Sequence, residues 1–304
     1  MHPRLLEIPL PFEIMGAESI TLYSFGAMMA IAFLTAAWLS RLELDRMHKA
    51  GLLGTVKVKA KPGPNVRPGT MIAASPAYLI GTVVMIAVIG GIAGAKLFHV
   101  LENLDEFFAD PAAMIFSTGG LTFYGGLIVA AISIIWYVRQ KKVDLSLFAD
   151  AMLPTVLLAY GIGRIGCHLA GDGDWGIQSY LADKPAIVPE WLWAESYPNN
   201  ILNEVLPGDG VYPTSLYEFG MAALLFAGLW LLRQRGFRKG VLASVTVVCF
   251  GVERLLIEQI RVNNQGEFLG ITVTQAELIS VAMILVGLIG VGLFMRRRTH
   301  AEKG

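Results

Sequence analysis

The chain has 304 residues, of which 55% are hydrophobic and 16% are charged, and its 24 basic and 24 acidic side chains leave no formal net charge. The charged fraction is well below the roughly 25% usual for soluble domains, and the mean hydropathy is +0.58. This composition excludes an ordinary soluble protein if the apolar residues are gathered into long segments, and they are.

Seven apolar segments are long enough to cross a bilayer, which takes about 20 residues in a helix. They are residues 20–40, 76–98, 118–138, 147–166, 213–232, 240–262 and 272–295. None shows the alternation of apolar and polar residues expected of a membrane β-barrel strand, so we expect helices. The sequence therefore predicts an all-α polytopic membrane protein with seven transmembrane helices.

Basic residues mark the cytoplasmic ends of these predicted spans. Most of the 24 Lys and Arg residues lie in four regions at alternate crossings, namely residues 41–67, 139–142, 233–239 and 296–303. By the positive-inside rule these regions are cytoplasmic, which places the N-terminus outside and the C-terminus in the cytoplasm. Because these charges lie in loops and orient the helices, they give no support to nucleic-acid binding.

Two connecting segments stand out within what we expect to be a single transmembrane domain, residues 1–304. Residues 41–75 are predicted to form a cytoplasmic loop, because they include a stretch rich in Gly, Pro and Lys that is typical of a flexible linker. Residues 167–212 join the fourth and fifth spans, and they carry several Trp and Tyr residues among Pro, Asn and Gly. Such aromatic residues favour the membrane interface, so we expect a small extracytoplasmic cap.

Ionisable residues inside the predicted spans lie toward the outer ends. Arg164 lies at the outer end of the fourth span, and Arg254, Glu258 and Arg261 share one helical face of the sixth. A charged side chain at the bilayer centre costs about 2.5–3.5 kcal/mol on insertion scales, so such groups are usually paired and functional. A channel or transporter needs polar groups along its whole path. The apolar inner half instead favours an enzyme acting on a lipid of the outer leaflet.

Simpler interpretations of the same residues remain open. Arg254 and Glu258 are four residues apart and could simply neutralise each other as an i,i+4 ion pair. The glycines at 90, 91 and 94 permit close helix packing. Asp172 and Asp174 alternate with glycines, as turn residues do. Together with Cys167 and His168 they match no standard zinc pattern, because only one thiolate is present. We expect neither a metal nor another cofactor.

Four motifs occur together along the chain. They are GGLTFYGGLI at 119–128, GRIG at 163–166 followed by GD at 171–172, YPTSLYE at 212–218 and FGVERLLIEQIR at 250–261. In this order, and with seven spans, the sequence resembles the prolipoprotein diacylglyceryl transferase family over nearly its whole length. The resemblance implies transfer of a diacylglyceryl group from phosphatidylglycerol to the lipobox cysteine thiol of a preprolipoprotein, with release of glycerol phosphate. It also implies the bacterial cytoplasmic (inner) membrane, with the active site facing the outer side.

The resemblance assigns roles to the motif residues. Arg164 and Arg254 match the family's arginines and are expected to hold the phosphate, because a guanidinium stays charged when buried and its fork fits a phosphate. Glu258 and Arg261 are expected to orient Arg254 and the lipid headgroup. Other expected substrate-binding residues, at or beside motif positions, are Gly125, Gly126, Cys167, Asp172, Asp174, Tyr217 and Glu218. The glycine pair is expected to let the lipid approach the backbone.

Several positions depart from the family pattern. Tyr124 stands where the family has a histidine, Cys167 replaces an asparagine, and either Asp172 or Asp174 matches a glutamate. Two accounts fit. In the first, His168 replaces the missing imidazole as the base toward the thiol, or Tyr124 takes that role. In the second, the protein binds the same phospholipid but uses another acceptor or has no catalytic activity.

Overall fold

A computed structural model describes residues 1–14, 17–59, 70–117, 122–263, 266–268 and 271–296. Its helices are α1 (Ser24–Lys49), α2 (Ile80–Glu102), α3 (Leu104–Ala109), α4 (Pro111–Phe116), α5 (Phe123–Gln140), α6 (Leu145–Ala170), α7 (Thr214–Leu232), α8 (Val241–Glu258) and α9 (Gln275–Arg296). Its strands are β1 (Arg4–Ile14), β2 (Ala17–Tyr23), β3 (Val56–Lys59), β4 (Met71–Ala74), β5 (Gly266–Phe268) and β6 (Ile271–Val273). The first residues of the GGLTFYGGLI motif and the basic residues after Arg296 lie outside the described ranges.

Six helical segments in the described residues are long and apolar enough to cross a membrane. They are α1, Pro76–Glu102 (which contains α2), α5, α6, α7 and α9. The sixth predicted span, α8, is not among them, because its 18 residues include the charged side chains of Glu253, Arg254 and Glu258. The protein is therefore a mostly helical, multi-pass membrane protein.

Within the described ranges, three antiparallel strand pairs are present that the sequence analysis did not predict. The first pairs β1 with β2, so the apolar run predicted to begin a span at residue 20 is extended through Tyr23, and α1 begins at Ser24. β-Branched residues in both strands, such as Ile8 in β1 and Thr21 in β2, favour this extended backbone. Two helices also run past their predicted ends, α1 through residues 41–49 and α6 as far as Ala170.

The chain forms two compact units, Met1–Ala36 with Ala149–Gly304, and Ala37–Phe148. In the first unit, buried apolar side chains of α6, α7 and α8 form a shared core, made by Leu157, Ala222, Leu229 and Leu242. The carboxylate of Asp150 in α6 accepts backbone N–H bonds from Gly240 at 2.6 Å and from Ala243 at 2.7 Å. This satisfies the free N–H groups at the start of α8 and fixes that helix against α6.

In the second unit, glycines let α2 and α5 approach closely. A Cβ added at Gly94 would lie 2.6 Å from Val129 Cβ, and one at Gly126 would lie 2.7 Å from Gly91 O. The predicted packing role of Gly94 is confirmed. Helix α2 also fills the side on which Gly125 and Gly126 would each carry a Cβ. That this glycine pair lets a lipid approach the backbone stays a prediction.

The segment between α6 and α7 is ordered without a long helix. Helix α6 ends where Gly171 adopts a φ of +62°, the left-handed conformation that commonly terminates helices. Beyond it, Trp175, Tyr197 and Val211 form a small buried cluster. Gly176 bridges to Arg261 just beyond the end of α8, so this segment is tied directly to the chain that leaves α8.

Candidate active site

Three arginines from two helices and a following turn converge on one carboxylate, that of Glu218 in α7. Arg164 Nε of α6 lies 2.6 Å from Glu218 Oε2, and Arg254 Nη1 of α8 lies 3.0 Å from Glu218 Oε1. Arg261 Nη1, from the turn after α8, lies 3.5 Å from the same Oε1. We call Arg164, Arg254 and Arg261 the arginine cluster. Glu218 was predicted only to bind substrate, so its place at the centre of this cluster is new.

Asp174 forms a second link, since its carboxylate pairs with both Arg164 and Arg261. Its backbone carbonyl accepts hydrogen bonds from Thr214 Oγ1 at 3.0 Å and from Ser215 Oγ at 2.7 Å, both in the first turn of α7. The segment after α6 is thereby fixed in place, and it carries a carboxylate into the cluster.

Glu258 is the third carboxylate that pairs with the arginine cluster, and it lies one turn beyond Arg254 on α8. Its Oε2 lies 2.7 Å from Arg254 Nη2, while its Oε1 accepts from Asn263 Nδ2 at 2.7 Å and from Thr274 Oγ1 at 2.6 Å. The i,i+4 pair seen in the sequence is therefore present. Because Arg254 also reaches Glu218, this pair is part of a larger network and orients Arg254 within it.

The arginine cluster is largely buried, but its arginines remain partly exposed. The Glu218 side chain is 1% exposed, whereas those of Arg261, Arg164 and Arg254 are 10%, 17% and 22% exposed. The Arg164 guanidinium also lies 5.0 Å from the Tyr160 ring centroid, a cation–π distance. Opposite charges balance across the network, which is the condition under which buried ions persist in an apolar surrounding.

One arginine keeps unused hydrogen-bonding capacity. Arg261 Nε and Nη1 are buried and make no hydrogen bond within the described ranges. A guanidinium carries five N–H donors, and a buried donor without an acceptor is costly. Nη1 still lies 3.5 Å from Glu218 Oε1 as an ion pair, so among the described residues Nε is the group that has neither a hydrogen bond nor an ion-pair contact.

Glu253, which lies beside Arg254 in the chain, is a buried carboxylate that the sequence analysis did not assign to the site. Glu253 is 1% exposed, and neither of its oxygens has a hydrogen-bond partner among the described residues. The signal was present in the sequence, since a charged residue within an apolar span is a functional candidate by default. Glu253 lies on a different face of α8 from Arg254, so the i,i+4 spacing that selected Arg254 and Glu258 did not select it.

His168 lies one turn beyond Arg164 on α6 and contacts the segment between α6 and α7. Its Nδ1 is 3.2 Å from Tyr197 Oη, and the two ring centroids are 5.3 Å apart. Tyr197 is 1% exposed, and burial raises the pKa of its phenol, which stays protonated. A His168 that donates from Nδ1 to this oxygen keeps a free lone pair on Nε2.

Asp172 and Asp174 play different parts. Asp172 Oδ1 accepts the backbone N–H of Asp174 at 3.3 Å, a local turn bond, and only Asp174 of the two pairs with the arginines. Cys167 Sγ lies 3.9 Å from Arg164 Nη1. Ligand atoms of these three residues lie within 4.8 Å of one another, but Asp174 is committed to two guanidinium groups, which disfavours a cation there.

Two further predicted site residues make other contacts. The Tyr217 hydroxyl donates to Leu192 O at 2.5 Å, so its side chain anchors the segment between α6 and α7 instead of joining the arginine cluster. Tyr124 belongs to the second unit, where it is 37% exposed and packs edge-on against Phe123, with 5.7 Å between the ring centroids.

Comparison with known proteins decides the family. Residues 11–293 match the family described as prolipoprotein diacylglyceryl transferase. The chain belongs to this family. It is 28% identical over 280 residues to the phosphatidylglycerol–prolipoprotein diacylglyceryl transferase of Clostridium tetani, covering 92% of this chain and 95% of that one. The protein of the same name from Pseudomonas paraeruginosa is 31% identical over 219 residues, or 70% of this chain and 75% of the relative.

A third diacylglyceryl transferase of the family, from Leptospira interrogans, is 27% identical over 265 residues, covering 79% of this chain and 71% of its own length. The resemblance drawn from the four motifs is thus confirmed. Residues from three of those motifs meet in this network. GRIG supplies Arg164, YPTSLYE supplies Glu218, and FGVERLLIEQIR supplies Arg254, Glu258 and Arg261.

Proposed function

We propose that this protein transfers a diacylglyceryl group from phosphatidylglycerol to the lipobox cysteine thiol of a preprolipoprotein and releases glycerol phosphate. The names of its relatives support the reaction. The observation that carries the proposal is the meeting of Arg164 and Arg254 on Glu218, with Arg261 beside them and its buried Nε without an acceptor among the described residues. A phosphodiester headgroup supplies the acceptor oxygen that this donor lacks.

The arginine cluster suits the leaving group of this reaction. The bond that breaks joins a glycerol carbon of the diacylglyceryl group to a phosphate oxygen, and that oxygen leaves carrying negative charge. Guanidinium groups fixed in advance stabilise such a charge most strongly where water is scarce. Glu218, Asp174 and Glu258 hold the arginines in position, so the headgroup binds to donors that are already aligned.

The nucleophile is the substrate's thiol, which must lose its proton to attack as a thiolate. The thiolate sulfur forms a bond to the glycerol carbon as the carbon–oxygen bond breaks, giving a thioether and glycerol phosphate. We assign the proton to His168 Nε2, because the contact with Tyr197 orients the ring and leaves this nitrogen free. Tyr124 is the alternative acceptor.

For the remaining candidates, we propose that Cys167 and Asp172 shape the phosphate end of the site beside Arg164 and Asp174. Tyr217 contributes indirectly by holding the segment between α6 and α7. Gly125 and Gly126 serve to pack α5 against α2. No step in this scheme requires a metal or another cofactor.

We propose a seven-helix topology in which α8 is the remaining span, with the N-terminus outside and the C-terminus in the cytoplasm. Helix α8 is tolerable in a membrane because Arg254 and Glu258 pair within the network instead of facing lipid and the Glu253 side chain is buried. This orientation makes residues 41–75 cytoplasmic and residues 167–212 an outer cap, within one transmembrane domain. The arginine cluster then faces the outer side of the bacterial cytoplasmic membrane, where lipobox peptides emerge.

Purified protein in detergent tests the reaction directly. Labelled phosphatidylglycerol and a lipobox peptide should give labelled thioether peptide, whereas phosphatidylcholine as donor, or a peptide with serine in place of the cysteine, should give none. Binding of phosphatidylglycerol without any transfer would reject the proposed reaction and favour the second account, a lipid-binding protein with another acceptor or no catalytic activity.

A further inference from the structure

The second unit contains a cavity of about 470 Å³ that none of the residues discussed so far lines. It lies where strand β3, the 3₁₀ turn Pro76–Leu79 at the start of α2, and the last turn of α5 meet. Its polar lining comes from Lys59, Tyr78, Thr82, Tyr137 and Lys141, and three aliphatic side chains complete it.

The lining carries positive charge without a matching carboxylate. Lys59 and Lys141 contribute two ammonium groups, and no Asp or Glu lines the cavity. Lys141 Nζ lies 5.4 Å from the Tyr137 ring centroid, which fixes one cation at the wall. In the part of the chain that the structure describes, neither lysine forms an ion pair. With the hydroxyls of Tyr78 and Thr82, the cavity presents ammonium and O–H donors to a single volume, which suits a phosphate group.

The cavity lies at the level of a membrane interface. It is formed at the first turns of α2 and the last turn of α5, both membrane-spanning segments by length and composition. Tyr78, which lines it, is 54% exposed, and Trp136, next in the chain to the lining residue Tyr137, is 63% exposed. Such aromatic residues concentrate at headgroup depth. Ile72, 42% exposed, adds an apolar edge beside the two lysines. The apolar edge and the cationic interior of this cavity together suit a lipid headgroup better than a free ion.

We propose that this cavity binds the phosphate of an anionic phospholipid headgroup. The site lies wholly within Ala37–Phe148, whereas the arginine cluster lies in the other unit, so it is a second lipid site that goes beyond the transfer reaction. By the proposed topology it faces the inner leaflet, where anionic lipids attract basic residues near the membrane. Its ligand is therefore a bound lipid that is not the one consumed.

Photocrosslinking in nanodiscs tests this site by location. Full-length protein is placed in phosphatidylcholine nanodiscs that contain increasing amounts of photoreactive phosphatidylglycerol, and crosslinked peptides are identified by mass spectrometry. Crosslinks are expected on peptides containing residues 76–82 and 136–141. The Lys59→Gln/Lys141→Gln double variant should raise the lipid fraction needed for half-maximal crosslinking there by roughly 30-fold, the equivalent of about 1 kcal/mol per lysine.

A charge-matched control separates the cavity from general surface charge. Lys57 precedes Lys59 by two residues on β3. Arg139, in the last turn of α5, precedes Lys141 by two residues. Lys57 and Arg139 do not line the cavity. The Lys57→Gln/Arg139→Gln variant should crosslink like the parent. An equal loss in both double variants, or no loss in the first, would overturn the proposal. Displacement by soluble glycerol phosphate as effective as that by unlabelled phosphatidylglycerol would also overturn it, in favour of a soluble-phosphate site. Because crosslinks are mapped, the outcome does not depend on the arginine cluster.

Discussion

Arg164 and Glu218 join helices α6 and α7 through an ion pair of 2.6 Å between Nε and Oε2. The other carboxylate oxygen is left for Arg254 of α8. One buried acid therefore aligns two guanidinium groups that are 90 positions apart in the chain. Among the described residues, Glu218 is the one carboxylate that pairs with both Arg164 and Arg254, so it determines the spacing of any phosphate-binding site that they form.

Replacing Glu218 by glutamine should both destabilise the protein and stop the reaction. Removing one partner of a buried ion pair leaves uncompensated charge and typically costs about 3–5 kcal/mol. Thermal unfolding in detergent and the transfer rate measure the two effects. Glu204→Gln, an exposed acid between α6 and α7, is the matched control and should change neither. A Glu218→Gln protein with the parent's Tm and rate would show that this acid does not organise the arginines.

The two aspartates after α6 should differ sharply. Asp174→Asn removes a charged partner from Arg164 and Arg261, and hydrogen bonds to charged groups contribute about 1.5–3 kcal/mol, so kcat/KM should fall by one to two orders of magnitude. Asp172→Asn keeps an oxygen that accepts the Asp174 N–H and should have a small effect. The opposite ranking would mean that Asp172, not Asp174, takes the place of the family's glutamate.

His168→Gln tests the assignment of the base. Loss of a positioned general base lowers rates by about 10²–10⁴, and the acid limb of the pH–rate profile should disappear with it. Tyr197→Phe keeps the ring packing but loses the oxygen 3.2 Å from Nδ1, so it should lower kcat with little change in KM. An unaltered pH profile in His168→Gln would remove this histidine from the mechanism, and Tyr124→Phe would then be the next variant to measure.

The glycines of α2 offer a test of packing with an internal control. Gly94→Ala places a methyl group 2.6 Å from Val129 Cβ, and overpacking of this kind costs about 1–3 kcal/mol. A Cβ at Gly91 meets nothing within 4 Å, so Gly91→Ala should be neutral or should stabilise by up to about 1 kcal/mol through helix propensity. Thermal unfolding of the two variants should separate them. Equal Tm values would contradict the α2–α5 packing.

Spacing along one helix could be read from the sequence, and contacts between helices could not. Arg254, Glu258 and Arg261 were predicted to share a face because their separations of four and three residues fit the helical period. This is confirmed for Arg254 and Glu258, which pair on α8. It is wrong for Arg261, because α8 ends at Glu258 and Arg261 reaches the network from the turn beyond it. That Glu218 accepts from arginines of two other helices depends on helix packing, which periodicity does not encode. The central role of this acid was therefore missed.

Two other features also depend on which elements pack together. The apolar run before α1 was taken as the start of a span, but a short apolar run is compatible with a strand or a helix, and pairing with β1 makes it extended through Tyr23. Gly125 and Gly126 were assigned to lipid approach because glycine permits any close neighbour. The structure places α2 on the Cβ side of both glycines, a contact that the sequence pattern does not encode, and lipid approach at this pair stays a prediction.

The most direct test of the central claim is the rate of transfer from labelled phosphatidylglycerol to a lipobox peptide by Arg164→Ala and by Arg254→Ala. If the two arginines grip the headgroup phosphate, each variant should lose about 10²–10³ in kcat/KM, as when a single donor to a developing anion is removed. Arg235→Ala, which removes an exposed arginine after α7, should match the parent. Folded Arg164→Ala or Arg254→Ala protein that transfers at close to the parental rate would contradict the account.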